Sequence, residues 1–135
     1  KEEREESFAG VRRTTAFQAV GSDLDPAAVA LTLENAKKAG VIAKVNARSL
    51  DIGEFRLPEG PATILCNPPY GERMLELQEA EQLYRQMGQV LRPQEGKRYY
   101  IISPHDRFEE LFGRPATKRR KLYNGMIRCQ LYMYF

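Results

Sequence analysis

The sequence predicts an α/β fold with a mostly parallel sheet whose last two strands form an antiparallel hairpin. Three observations carry that reading. From Phe17 onward, strand-like apolar runs alternate with amphipathic helical stretches, the order that builds parallel sheets. The tetrapeptide Asn67-Pro68-Pro69-Tyr70 follows the apolar run Thr63-Ile64-Leu65-Cys66. It therefore sits beyond a strand's carboxyl end, where open α/β sheets bind ligands. Near the C-terminus, Asn124-Gly125 separates two runs rich in β-branched and aromatic residues, the signature of a two-residue hairpin turn.

Each element has a local reason. The first seven residues, Lys-Glu-Glu-Arg-Glu-Glu-Ser, have almost no apolar face to bury and read as a helix end or frayed tail. Ala16-Phe17-Gln18-Ala19-Val20 reads as a strand running into a turn at Gly21-Ser22-Asp23. Asp25 and Pro26 then fit an N-cap and first-turn proline. Val29, Leu33 and Ala36 recur at helical spacing, and Gly40 stops that helix. Ala43-Lys44-Val45-Asn46-Ala47 is a short alternating strand ending near Leu50-Asp51, and a Pro/Gly loop at residues 57–61 leads to the motif strand. Residues 79–91 read as a helix with Leu83, Met87 and Val90 toward the sheet and Pro93 beyond its end. Tyr99-Tyr100-Ile101-Ile102-Ser103 is the next strand, residues 106–112 a short helix closed by Gly113, and the hairpin completes the chain.

At 135 residues and 42% hydrophobic content, the chain is long enough for one ordinary domain core. Its 21 Lys plus Arg against 18 Asp plus Glu leave a net charge of +3, too little by itself to argue for nucleic acid. No apolar run approaches the roughly 20 residues that a membrane helix needs, and a soluble cytoplasmic protein is expected. Cys66 and Cys129 lie in apolar strand runs and read as small buried hydrophobes, and His105 is the only histidine. No metal site is expected. His105 reads as a helix-start or solvent-facing residue.

The chemistry lies in the motif loop. An exocyclic base amine is a poor nucleophile because its lone pair is delocalised into the ring. A site that methylates it must draw the nitrogen toward sp3 geometry. The Asn67 side-chain oxygen and the Pro68 carbonyl supply two acceptors for the amine hydrogens, and Pro68 and Pro69 fix the backbone that aims them. Tyr70 offers a flat face for the base, worth about 1–3 kcal/mol of stacking. An Asn-Pro-Pro turn between strand and helix accounts for the tetrapeptide alone equally well.

With those residues placed, the chain resembles the class I S-adenosylmethionine-dependent methyltransferases that modify exocyclic base amines, with a Rossmann-like sheet. Within them it is similar to the large-subunit ribosomal RNA guanine-N2 methyltransferases. The resemblance rests on Gly21-Ser22-Asp23-Leu24-Asp25, on Asn35-Ala36, on the run from Asn67 to Arg73, and on the Lys/Arg-rich stretch Ala116-Thr117-Lys118-Arg119-Arg120-Lys121-Leu122-Tyr123-Asn124-Gly125. It implies rRNA processing, S-adenosyl-L-methionine as cofactor, and RNA as partner. It also implies that Asp23, with Leu24, takes the cofactor ribose hydroxyls. Asp51, with Leu50, lies at the adenine position, and Asn67 adjoins the cofactor as well as the amine. Competing roles stay open: a turn or N-cap for Asp23, an Asx turn for Asp51. Glu72 and Arg73 either orient the target nucleotide with Tyr70 or pair with each other. Lys118, Arg119 and Arg120, with Lys121, either grip phosphates or guard a solvated edge strand. N6-adenine DNA methylation and a non-catalytic RNA-binding module are the alternative functions.

One part of the family pattern is missing. No Gly-x-Gly precedes Asp23. The first strand and its Gly-rich turn, which in the family lies against the methionine end of the cofactor, are therefore expected upstream. Residues 1–15 are expected to be a charged N-terminal segment and residues 16–135 a partial catalytic domain. The missing N-terminal portion of the same protein, with an RNA-binding THUMP module, would complete it. Alone, residues 1–135 are expected to bind S-adenosylmethionine poorly and to be inactive.

Overall fold

The structure is a computed structural model that describes residues 18–23, 25–68 and 74–135. It divides into two compact units, the first ending at Leu50 and the second running from Asp51 to Phe135.

In the first unit, β1 (Ala19–Asp23) pairs in parallel with β2 (Val45–Ser49), from Ala19 opposite Val45 to Asp23 opposite Ser49. The connection is α1 (Pro26–Lys38). Its start follows from two residues. Asp25 has extended backbone and accepts the Ala27 N–H at Oδ1 (2.9 Å), and Pro26 follows at the first helical position. At its end Gly40 takes φ 75°, which lets the chain turn away while the Val41 N–H reaches back to the Ala36 carbonyl at 2.9 Å. Two boundaries move from the sequence reading. Gly21-Ser22-Asp23 is strand rather than turn, because the ladder to β2 supplies partners that outweigh the turn preference of Gly and Ser. The next strand begins at Val45 because Ile42–Lys44 form a 3₁₀ turn.

In the second unit, a 3₁₀ turn (Ile52–Glu54) precedes β3 (Ala62–Cys66), α2 (Met74–Val90), β4 (Lys97–Ser103), α3 (Phe108–Phe112), β5 (Lys118–Asn124) and β6 (Ile127–Tyr134). The sheet order is β3-β4-β6-β5, parallel between β3 and β4 and antiparallel thereafter. Among the described residues, β1 pairs only with β2 and β3 only with β4. The helix α2 starts at Met74 rather than Glu79. The hairpin register also differs by one residue from the reading: Asn124 pairs with Ile127, so the two-residue loop is Gly125-Met126. Gly125 takes φ 64° at its first position while no non-glycine residue among the described residues has positive φ, the pattern of a type II′ turn.

The core of this unit is aromatic. Ala80, Tyr84, Met87 and Leu91 fall at helical spacing along α2 and its end, and meet Tyr99 and Ile101 of β4, Phe108 and Phe112 of α3, and Tyr132 and Tyr134 of β6. Phe108 stacks on Tyr132 with centroids 4.5 Å apart. Burying tyrosines requires partners for their hydroxyls, and Tyr132 donates to the His105 carbonyl (3.2 Å) and Tyr134 to the Arg114 carbonyl (3.1 Å). Gly88 is the point of closest approach between α2 and α3, where any Cβ would collide with the Phe112 carbonyl. Among the described residues no helix is long and apolar enough to cross a membrane.

Candidate active site

Asn67 and Pro68 leave β3 at its carboxyl end. Cys66 stands opposite Ile101, so the motif emerges beside Ile102 and Ser103, where β4 also ends. Asn67 is exposed and Pro68 half-buried. Pro69, Tyr70, Glu72 and Arg73 lie outside the described residues, as does Leu24. Burial pushes the Cys66 thiol up to about 11, so the residue before the motif is protonated at neutral pH and is no thiolate nucleophile.

The two carboxylates of the first strand's exit divide their work. Asp25 caps α1. Asp23, the last residue of β1, accepts the Asp25 N–H at Oδ1 (2.8 Å), and its carbonyl accepts the Leu50 N–H at 3.0 Å. Asp23 and Leu50, both expected at the cofactor, are thereby joined. The Asp23 side chain is exposed, and no hydrogen bond among the described residues engages its Oδ2. In the second unit Asp51 makes the Asx turn that the sequence left open: Oδ1 accepts the Gly53 N–H at 2.8 Å. That turn uses one oxygen of an exposed side chain.

A cluster that sequence reasoning missed stands at the end of β4. Ser103 Oγ donates to the Tyr84 hydroxyl (3.0 Å) and accepts the His105 N–H (3.1 Å). His105 Nε2 lies 2.7 Å from Glu81 Oε2, which also receives Arg107 Nη2 at 3.3 Å. The hydrogen bond from His105 is the main reason that the Glu81 carboxyl titrates below its usual range. His105 precedes the Arg107 N-cap of α3 by two residues, and its carbonyl accepts the Phe108 N–H at 3.3 Å. The solvent-facing reading does not hold, because its side chain is only 9% exposed. A single histidine just after a strand was the one available signal; its partner Glu81 lies too far along the chain to be read from spacing.

Lys118, Arg119 and Arg120 lie on β5, the edge strand of the sheet, and all are exposed. They are not equivalent. Arg119 Nη1 pairs with Glu109 Oε1 at 3.1 Å, while Lys118 and Arg120 form no ion pair among the described residues.

Residues 1–133 match the family model of the RMKL-like methyltransferase domain. The chain belongs to that family. YpsC of Bacillus subtilis, provisionally named an RNA methyltransferase, is 38% identical over 114 residues, covering 84% of this chain and 30% of its own length. The ribosomal RNA large subunit methyltransferase K/L of Legionella pneumophila is 36% identical over 118 residues, covering 87% of this chain and 17% of its own length. A solved structure, SMU.472, described as a candidate methyltransferase complexed with SAH, superposes with a TM-score of 0.89 at 30% identity, covering 99% of this chain and 36% of that one. This chain of the RMKL-like family thus spans a third or less of the curated relatives it matches. Its mixed sheet with parallel strands and a C-terminal antiparallel hairpin is a methyltransferase fold.

Proposed function

We propose that this chain is the catalytic part of an enzyme that methylates an exocyclic amine of ribosomal RNA, with guanine N2 of the large-subunit 23S RNA as the target, in the cytoplasm. The observation that carries the reading is the exit of Asn67 and Pro68 from the carboxyl end of β3 beside that of β4, in a chain of the RMKL-like family. Relatives named for RNA methylation and a neighbour holding SAH support the substrate class and the cofactor.

Asp23 and Asp51, each taken by itself, have the acceptor chemistry that the adenosine end of S-adenosylmethionine requires. Asp23 and Asp51 are exposed carboxylates, each with one oxygen committed to an Asx turn. Carboxylates are acceptors, as the ribose hydroxyls and the adenine amine require. Asp23 with Leu24 holds the ribose, and Asp51 with Leu50 the adenine. When bound, S-adenosylmethionine supplies an electrophilic methyl on a sulfonium. Asn67 and the Pro68 carbonyl accept the hydrogens of the target amine and free its lone pair. Pro69 sets the backbone, Tyr70 stacks on the base, and Glu72 and Arg73 orient the nucleotide. Lys118 and Arg120, with Arg119 in a lesser part, hold its phosphates. The upstream portion of the protein completes the methionine end of the site.

The test is methyl transfer to 23S RNA by the complete parent protein and its Asn67→Ala variant. Loss of an interaction made in the transition state lowers kcat by about 100-fold or more and leaves SAH affinity nearly unchanged. Near-normal turnover by Asn67→Ala overturns the assignment. Nucleoside analysis of the product is expected to give N2-methylguanosine, and N6-methyladenine would move the target to adenine.

A further inference from the structure

At the end of β4 opposite to Asn67, a cleft of about 450 Å³ is lined by Glu95, Lys97, Tyr99, Arg114, Thr117 and Tyr134. Lys97 is only 7% exposed, and its Nζ donates to the Gly60 carbonyl. The Arg114 guanidinium carbon lies 4.6 Å from the Phe112 ring centroid, 5.0 Å from that of Tyr134 and 5.8 Å from that of Tyr99, and Nη2 donates to the Leu91 carbonyl. Burial pulls the Arg114 guanidinium below its ordinary pKa.

Among the described residues neither of these cations forms an ion pair. No carboxylate oxygen among those residues lies within 4.0 Å of either: Glu110, the nearest acid in sequence to Arg114, is exposed, Glu109 is engaged with Arg119, and Glu95 is exposed. Carbonyl oxygens and ring faces carry only partial charge. A buried ammonium is normally paired because water no longer solvates it, and a guanidinium stacked on aromatics keeps its remaining N–H donors in a fixed plane suited to an oxyanion. The hydroxyls nearby are already engaged, Tyr99 with the Arg92 carbonyl and Tyr134 with the Arg114 carbonyl, so recognition falls to the two cations.

We propose that this cleft is an anion site that takes a phosphate group between Lys97 and Arg114, away from the methyl-transfer loop. A phosphate there supplies the missing charge and accepts donors from both side chains. The group comes either from free phosphate or from a nucleic-acid backbone, and the two sources are separable.

The test is titration of the full chain with inorganic phosphate, followed by backbone amide NMR and by thermal melting against chloride at matched ionic strength. Phosphate is expected to shift the Lys97 and Thr117 amides saturably and to raise Tm. Lys97→Met, which keeps the buried stem and removes the charge, is expected to weaken binding about tenfold or more and to abolish the Tm rise. Arg114→Gln gives a second reading should Lys97→Met fail to fold. A short single-stranded RNA that shifts the same amides, where a neutral methylphosphonate strand does not, assigns the source to nucleic acid; a response to inorganic phosphate alone assigns it to a small anion. No Tm rise in the unmodified chain, unchanged affinity in a folded Lys97→Met, or shifts scattered over surface lysines, meaning an adventitious ion only, overturns the proposal. None of these readouts involves the cofactor or methyl transfer, so they fail or succeed independently of the proposed activity.

Discussion

Glu81 and His105 meet at 2.7 Å, and the other ring nitrogen of His105 accepts the Arg107 N–H at 3.0 Å. A nitrogen that accepts a backbone N–H carries no proton, so Nε2 bears it and donates to Glu81. The tautomer is fixed by the turn, and the turn is anchored to α2.

Acid stability is expected to depend on this pair. A carboxyl whose folded pKa is depressed contributes stability above its unfolded value, and loses it as pH falls through the folded one. The Glu81 carboxyl starts from an ordinary value of 4.5 and is lowered. Thermal melts between about pH 3 and pH 7 should therefore show Glu81→Gln less stable than the unmodified chain at neutral pH, with a shallower decline below about pH 4.5. Parallel curves would show that the pair contributes nothing.

Gly88→Ala is expected to destabilise the second unit by about 2–3 kcal/mol, even though alanine is the better helix former, because the added methyl meets the Phe112 backbone rather than a movable side chain. Gln89→Ala, on the exposed side of the same helix, should stay within about 0.5 kcal/mol. Urea unfolding of both variants checks the contrast.

Adjacent aspartates should separate by readout. Asp25→Ala removes the α1 cap and costs about 1 kcal/mol of stability. Asp23→Ala is expected to weaken SAH binding to the complete parent protein by about tenfold or more, with a smaller loss of stability. Calorimetry showing unchanged SAH affinity would remove Asp23 from the cofactor site.

Local chemistry made much of this legible. The Asp25-Pro26 start, the Gly40 and Gly113 stops, and the alternation that produced β3 and β4 are all written in short stretches of sequence. The misses came from long-range partners. Pairing with β2 turned Gly21-Ser22-Asp23 into strand, and the register of β6 moved the hairpin loop onto Gly125-Met126. The Glu81 and Arg107 contacts to His105 and the Arg119–Glu109 pair depend on how α2 and α3 lie on the sheet, which spacing along the chain does not encode.

That last pair sets an expectation for RNA binding. Each phosphate contact contributes about one unit to the salt dependence of affinity. Lys118→Gln and Arg120→Gln should each reduce the slope of log affinity against log salt by about one in the parent protein, whereas Arg119→Gln, whose charge is already shared with Glu109, should change it less. Slopes unchanged from that of the unmodified protein in all three variants would assign the cations to guarding the strand edge.

The position of β4, between a parallel and an antiparallel neighbour, bears on the order in which the sheet assembles. The β5–β6 pair closes through Gly125 and Met126 alone, but β3 and β4 meet only after the chain has passed through the whole of α2. Closing a longer loop costs more entropy, and hairpins form within about 1–10 μs. The hairpin is therefore expected to form first and to offer Tyr132 and Tyr134 as the surface on which β4 docks, with β3 joining last. In stopped-flow experiments, truncating Tyr132 should chiefly slow refolding, and truncating Ile64 should chiefly hasten unfolding. The reverse pattern would place the nucleus at the parallel pair, so that the strand carrying Asn67 would be laid down early rather than late.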